Sequence, residues 1–237
     1  MKQKSVSIII LLLLFCQNVQ VSGQEKDYQE IFGQDWINAE KFLSENNSWI
    51  KPLLDKYDVS YAEAVAVIFP ELVRYSSVMD RIEITLLKTL YVNLGKEYAN
   101  FSIGSFQMKP SFAEAIGQVA GRKLGHRYSS LVRDSVDFNN IHIYRKAIVS
   151  DLEDTRKQLD YLIVFLKICS RNFNLKSMTP EERIRFLATA YNYGFNKKQS
   201  EIVLMEDRKY FGTGIIKKTL YQYSDVSLFW YNRHSSD

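Results

Sequence analysis

The chain reads as an all-α protein, on three observations. Apolar residues recur at spacings of three and four through most of its 237 residues, and strict alternation is hard to find. Helix start signals stand ahead of the apolar runs and glycines come after several of them. Only four prolines interrupt the chain.

In order, Asp35 to Asn46 and Trp49 to Tyr57 read as two short helices. Ser60-x-x-Glu63 is a capping-box pattern that opens a helix through Ala64, Val65, Val67, Ile68 and Leu72. Pro70 lies inside this run; it has no N–H to donate and should bend the helix just before Glu71. Asp80-x-x-Glu83 repeats the start signal for a helix through Leu86, Leu87, Leu90 and Val92, which Gly95 should end. Glu97 to Ile103 reads as a loop. Pro110 or Ser111 starts the next helix, and Gly117, Gly121 and Gly125 punctuate the stretch after it. The stripe Ile148, Leu152, Leu159, Leu162, Leu166 and Cys169 predicts one long helix from about Tyr144 to Asn172. Thr179-Pro180-Glu181-Glu182 combines an N-cap, a proline at N1 and an acid at N3. It starts a helix through Ile184, Phe186, Leu187 and Ala188 that delivers Tyr191 and Asn192 before Gly194. Residues from Ile202 to Trp230 are less regular, with room for one or two more helices.

The first residues predict export. Lys2 and Lys4 form a positive n-region, Ile8 to Phe15 an apolar h-region, and Val21-Ser22-Gly23 small residues for cleavage before Gln24. The apolar run is short for a bilayer span, which disfavours an uncleaved anchor, and bulky Phe15 before Cys16 disfavours a lipid-modified terminus. Residues 24–237 carry no Pro- or Ser-rich linker, internal repeat or low-complexity tract, and read as one domain.

Loss of Lys2 and Lys4 from 31 basic residues, against 27 acidic ones, leaves a charge of about +2, with no polybasic block to serve nucleic acid. Cys169 is then the one cysteine left, so no internal disulfide forms, and its place on an apolar stripe makes it a small buried hydrophobe. An exported chain without a disulfide suits a bacterial periplasm. His126, His142 and His234 are not paired at i,i+4, and no His-Glu-x-x-His or cysteine cluster occurs, so no metal or other cofactor is implied. Neither a Gly-x-Ser-x-Gly elbow nor a phosphate-cradling glycine loop is present.

Glycosidic chemistry needs only carboxyl groups and a cleft. The leaving oxygen must take a proton, and a carboxylic acid supplies it at neutral pH if an apolar setting raises its pKa. Glu71 ends the run Ala62-Glu63-Ala64-Val65-Ala66-Val67-Ile68-Phe69-Pro70, a setting able to desolvate it. Downstream come the turns Gly104-Ser105-Phe106-Gln107-Met108-Lys109-Pro110 and Ala188-Thr189-Ala190-Tyr191-Asn192-Tyr193-Gly194.

With these three segments in this order, the chain resembles the soluble lytic transglycosylases and, in architecture, the goose-type lysozymes. The likeness spans roughly Ser60 to Gly194, leaving 195–237 as a less regular C-terminal region. It implies a lysozyme-like helical domain acting on peptidoglycan glycan strands, with Glu71 as general acid and then general base. Gln107 and the Met108 backbone would line the cleft and hold an N-acetyl or hydroxyl group of the sugar. Tyr191 would hydrogen-bond near Glu71, and Asn192 would orient the turn or touch substrate. Two departures stand out. Leu72 occupies the position where the family usually has serine, with Ser76 or Ser77 as substitutes. The gap from Glu71 to Gln107 is about twice the usual one, with Asp80 to Gly95 as an inserted helix; Glu83 and Glu97 therefore compete with Glu71 as the acid. Tyr75, Tyr91, Tyr98, Phe101 and Tyr193 are candidates for stacking on sugar faces.

The two later motifs contain no Asp or Glu, which favours a one-carboxylate mechanism. In the family it resembles, the substrate's own 6-hydroxyl then closes a 1,6-anhydro ring. A lysozyme-like hydrolase stays open, with Asp80, Asp134 or Asp137 as second carboxylate. So does a glycan-binding or envelope-scaffold module that does not cut; the C-terminal region leaves room for a partner surface, as in an envelope or secretion complex.

Overall fold

The computed structural model describes residues 26–77, 81–133, 140–212 and 219–235, and the side chains of all of these except 76, 77 and 81–84. Among them are eleven α-helices: α1 (Tyr28–Phe32), α2 (Gln34–Lys56), α3 (Tyr61–Ser77), α4 (Arg81–Leu94), α5 (Pro110–Lys123), α6 (His126–Ser129), α7 (Ile141–Glu153), α8 (Thr155–Asn172), α9 (Pro180–Tyr193), α10 (Gln199–Glu206) and α11 (Tyr223–His234). One antiparallel ribbon, β1 (Lys209–Phe211) with β2 (Tyr221–Gln222), lies between α10 and α11. The described chain is thus mostly helical, and the predicted export segment lies outside it. No helix among the described residues is long and apolar enough to cross a membrane.

Helix α3 is the centre of the packing. Ala64, Val65, Ala66, Val67, Ile68 and Phe69 are buried in sequence, so this stretch is enclosed on every side rather than on one stripe. Helices α2, α8, α9 and α11 supply the enclosure. Each of its larger side chains contributes roughly 2 kcal/mol by leaving water. Trp36 of α2 meets Phe69 edge-on at 4.5 Å, and Trp230 of α11 stacks on Phe69 at 5.3 Å. The Ser60–Glu63 capping box is only half made. The Ser60 hydroxyl accepts the Glu63 N–H, but the Glu63 carboxylate turns to accept from Arg183 of α9 at 2.7 Å. A long-range ion pair thus replaces the local bond and ties α3 to α9.

The structure corrects two helix boundaries. The expected break after Asn46 is absent, because α2 buries Trp36, Ala39, Leu43, Ile50 and Leu54 on one continuous stripe, with Asn47 and Ser48 on its exposed side. Asn46 is held within the helix, donating to the Phe42 carbonyl and accepting from the Trp49 ring N–H. The single helix expected from Tyr144 to Asn172 is two. Asp154 leaves helical geometry at φ −96° and ψ 115°, and its carboxylate accepts the Arg156 N–H as the N-cap of α8. The apolar period runs through this joint undisturbed, so it hides the break. Helix α5 also continues through Gly117 and Gly121. The capping box of α9 forms as the sequence predicts, with both Thr179–Glu182 bonds present.

Candidate functional site

Glu71 comes directly after Pro70 on α3. Pro70 has no N–H for the carbonyl four residues back, so the helix ladder is interrupted where the chain passes from core to cleft. The carboxyl is 3% exposed but lines a cleft of about 540 Å³. Its Oε1 accepts from the Asn192 side chain at 3.0 Å. Its Oε2 lies 3.2 Å from an Arg74 guanidinium nitrogen yet has no aligned hydrogen bond among the described residues. Burial pushes the Glu71 carboxyl above the ordinary carboxylate range. The Arg74 charge, the Asn192 hydrogen bond and the Lys109 charge each pull it back, and burial prevails.

The Gly104–Gln107 segment is a tight reversal closed by a pair of backbone bonds between Ile103 and Met108, at 2.9 and 3.1 Å. Gly104 has φ +69° and Gln107 φ +49°; the second is uncommon for a residue with a side chain and marks a conformation imposed by its surroundings. The imposing group is Gln158 of α8, which is fully buried. Its amide donates to the Ile103 carbonyl at 2.6 Å and accepts the Phe106 N–H at 3.0 Å. Gln107 donates to the Gly104 carbonyl at 2.9 Å. Among the described residues no other hydrogen bond engages the Gln107 side chain, which lines the cleft.

Helix α9 brings Tyr191 and Asn192 to the same cleft and stops at Gly194, whose φ is +137°. Here the structure exchanges the two expected roles. Asn192 makes the hydrogen bond to Glu71. The Tyr191 hydroxyl instead donates to the Phe106 carbonyl at 2.7 Å, tying α9 to the Gln107 turn. Tyr191→Phe leaves that buried carbonyl short of a partner and is expected to lower stability by about 1–3 kcal/mol in urea unfolding. Because the Asn192 bond favours ionised Glu71, Asn192→Ala is expected to raise the acid's pKa further. The alkaline limb of any Glu71-dependent activity then moves to higher pH, as a pH–rate profile reads directly.

Other expectations change as well. Met108 lines the cleft as expected, but its side chain is buried and its backbone N–H is taken by the Ile103 carbonyl, so that N–H is not offered to a sugar. Leu72 is core, not cleft. Of the five aromatic candidates only Tyr193 lines the cleft; Tyr91 is fully buried and donates to Glu114 at 2.7 Å. Glu97 is exposed beside a second cavity, away from the cleft lining. The side chains of Ser76, Ser77 and Glu83, and residues Asp80, Asp134 and Asp137, lie outside the described part of the chain.

Four residues of the site escape a sequence reading. Tyr210 on β1 lines the cleft, and its hydroxyl is pushed up to about 12 by burial and then by the Glu71 charge. Buried Tyr223 on α11 feels the same charge while donating to the Val67 carbonyl at 3.0 Å. Arg74 spans the ion pair with Glu71 and the face of Phe211, 4.7 Å away. Gln158 sits in an apolar helix and acts on a turn more than fifty residues away. None belongs to a local motif; only the Glu71–Arg74 spacing of i,i+3 is open to a helical reading.

Chemically, the cleft presents one carboxyl, whose pKa burial raises, beside a polar turn. No other carboxyl lines it among the described residues. Nor do the described residues contain a group of three or more His, Cys, Asp or Glu able to hold a metal ion. Protein-family models, curated protein sequences and solved structures give no match to this chain.

Proposed function

We propose that this protein is a periplasmic lytic transglycosylase with a lysozyme-like fold, cleaving the β-1,4 bond between N-acetylmuramic acid and N-acetylglucosamine in peptidoglycan. The observation that carries the reading is the buried Glu71 carboxyl on the cleft wall, the one carboxyl among the described lining residues. The order of the Glu71, Gln107 and Tyr191-Asn192 segments, and their convergence on one cleft, support it.

In this reading the protonated Glu71 gives its proton to the glycosidic oxygen as the bond to the anomeric carbon breaks. The muramyl 6-hydroxyl attacks that carbon, and its proton returns to the Glu71 carboxylate. One C–O bond breaks, one forms, and no water is consumed, so a second carboxylate to activate water is not needed. Asn192 fixes the carboxyl orientation, and Gln107 offers an amide to the sugar substituents. No cofactor enters.

The test is digestion of purified cell-wall sacculi, with mass spectrometry of the products. Anhydro-muramyl ends support the proposal. Ordinary reducing ends throughout would make the protein a hydrolase. Absence of cleavage, with binding retained, would make it a glycan-binding module; the Arg74 and Lys109 charges and the Asn192 hydrogen bond, which all favour ionised Glu71, stand on that side.

A further inference from the structure

Arg74 stands one helical turn beyond Glu71 on α3, and one of its guanidinium nitrogens lies 3.2 Å from Glu71 Oε2. Its guanidinium carbon is 4.7 Å from the centroid of the Phe211 ring on β1. Phe211 is fully buried and meets Phe32 and Tyr223 edge-on, at 5.9 and 5.6 Å. The cation thus rests on a ring that is itself fixed by the core. With Asn192 at Oε1, the carboxyl is held at both oxygens, by side chains of two different helices.

Four other titratable groups face Glu71: Lys109 at the N-cap of α5, Tyr191 of α9, Tyr210 of β1 and Tyr223 of α11. Burial and then the Glu71 charge raise all three tyrosine hydroxyls, so they stay neutral through the physiological range. Arg74 and Lys109 are the charged ones. Lys109 is exposed to screening water, whereas Arg74 abuts an enclosed oxygen and has the larger effect of the two.

The proposed reaction demands more than burial supplies. Glu71 must be neutral before it gives its proton, then carry charge until the 6-hydroxyl returns one. Burial favours the first state and penalises the second. A cation fixed against the carboxyl offsets that penalty. A guanidinium keeps its charge throughout the working pH range, so it does this without entering the proton transfer.

Resting on the transglycosylase reading, we propose that Arg74 is a positioning residue for the acid: braced on Phe211, it orients the carboxyl together with Asn192 and supports the charge that Glu71 holds between proton donation and proton return. It acts through Glu71, not on the sugar.

The test pairs a titration with kinetics. The protein is labelled with ¹³C at its glutamate carboxyls, and the Glu71 signal is assigned by its loss in Glu71→Gln. Arg74→Met keeps an unbranched chain over Phe211 but no charge; its Glu71 midpoint should move to higher pH. On soluble peptidoglycan oligosaccharides its plateau kcat should fall about tenfold or more with KM little changed, while the alkaline limb of the pH–rate profile moves up with the titration. General damage to the fold would lower the plateau without moving that limb. Arg74→Lys restores the charge without the planar contact, so its midpoint should return toward wild type and its kcat lie between the other two. It also decides the matter should Arg74→Met not fold. A midpoint unmoved in Arg74→Met, or an Arg74→Lys protein that folds yet recovers neither midpoint nor rate, overturns the role. Failure of the function reads differently: wild type then leaves the glycan uncut, whatever the carboxyl titration shows.

Discussion

Glu71→Gln is expected to abolish glycan cleavage, by at least about a thousandfold, while making the protein more stable at neutral and alkaline pH. The first effect comes from removing the cleft's acid, since a neutral amide has no proton to give. The second comes from linkage. Burial raises the Glu71 pKa in the folded state above its unfolded value. Between those two values the folded chain keeps a proton that the unfolded chain has lost, so stability falls as pH rises through this window and stays lower above it. Glutamine titrates nowhere in that range and keeps a side-chain oxygen for the Asn192 donor. The variant should therefore show a flatter dependence of melting temperature on pH and a higher melting temperature than wild type at pH 8, with the gap closing in acid. Cell-wall zymography and thermal unfolding across pH check both halves. Retained cleavage would move the acid elsewhere, with Glu83 the first to examine. A melting temperature that falls at every pH would show instead that the carboxylate is a net stabiliser through Arg74. Extra stability on loss of a functional side chain is the usual mark of a site held at a cost to the fold.

Gly104→Ala is expected to be strongly destabilising, at about 3 kcal/mol or more. The backbone there has φ +69°, which alanine adopts poorly. An added methyl would also lie 2.4 Å from the Gln158 amide nitrogen and 2.5 Å from the Leu152 carbonyl oxygen. The amide cannot swing away without giving up its bonds to Ile103 and Phe106, and the carbonyl belongs to a packed helix. The turn that presents Gln107 would open, so loss of stability and loss of ligand binding should come together. Gly125→Ala is the matched control: no atom lies within 4 Å of its added carbon, and denaturant unfolding should register little change. Comparable losses at both positions would show that Gly104 matters only for chain flexibility.

The helices that read well from the sequence carry their own local chemistry. Thr179-Pro180-Glu181-Glu182 starts α9 because an N-cap hydroxyl, a preset φ and an N3 carboxylate act within one turn. Gly95 ends α4, with φ +96°, for an equally local reason. The joint at Asp154 escapes such a reading because apolar periodicity reports which face is buried, not where the backbone changes course. The continuity of α2 escapes it because polar residues on a solvent-facing arc look like a linker when read in a line.

Composition and local pattern by themselves determined the helical class, the desolvating run ahead of Glu71, and the positions of the two turns that share its cleft. These depend on neighbours a few residues apart, and spacing along the chain records such neighbours faithfully. Tertiary structure alone decided that Asn192 rather than Tyr191 reaches the carboxyl, that Gln158 shapes the Gln107 turn, and that Tyr210 and Arg74 complete the walls with Lys96 and Lys109. Each of those relations is set by how helices far apart in sequence come to rest against one another. Direction of a side chain across such a junction is fixed by packing and hydrogen-bond closure, and neither leaves a mark in the local order of residues.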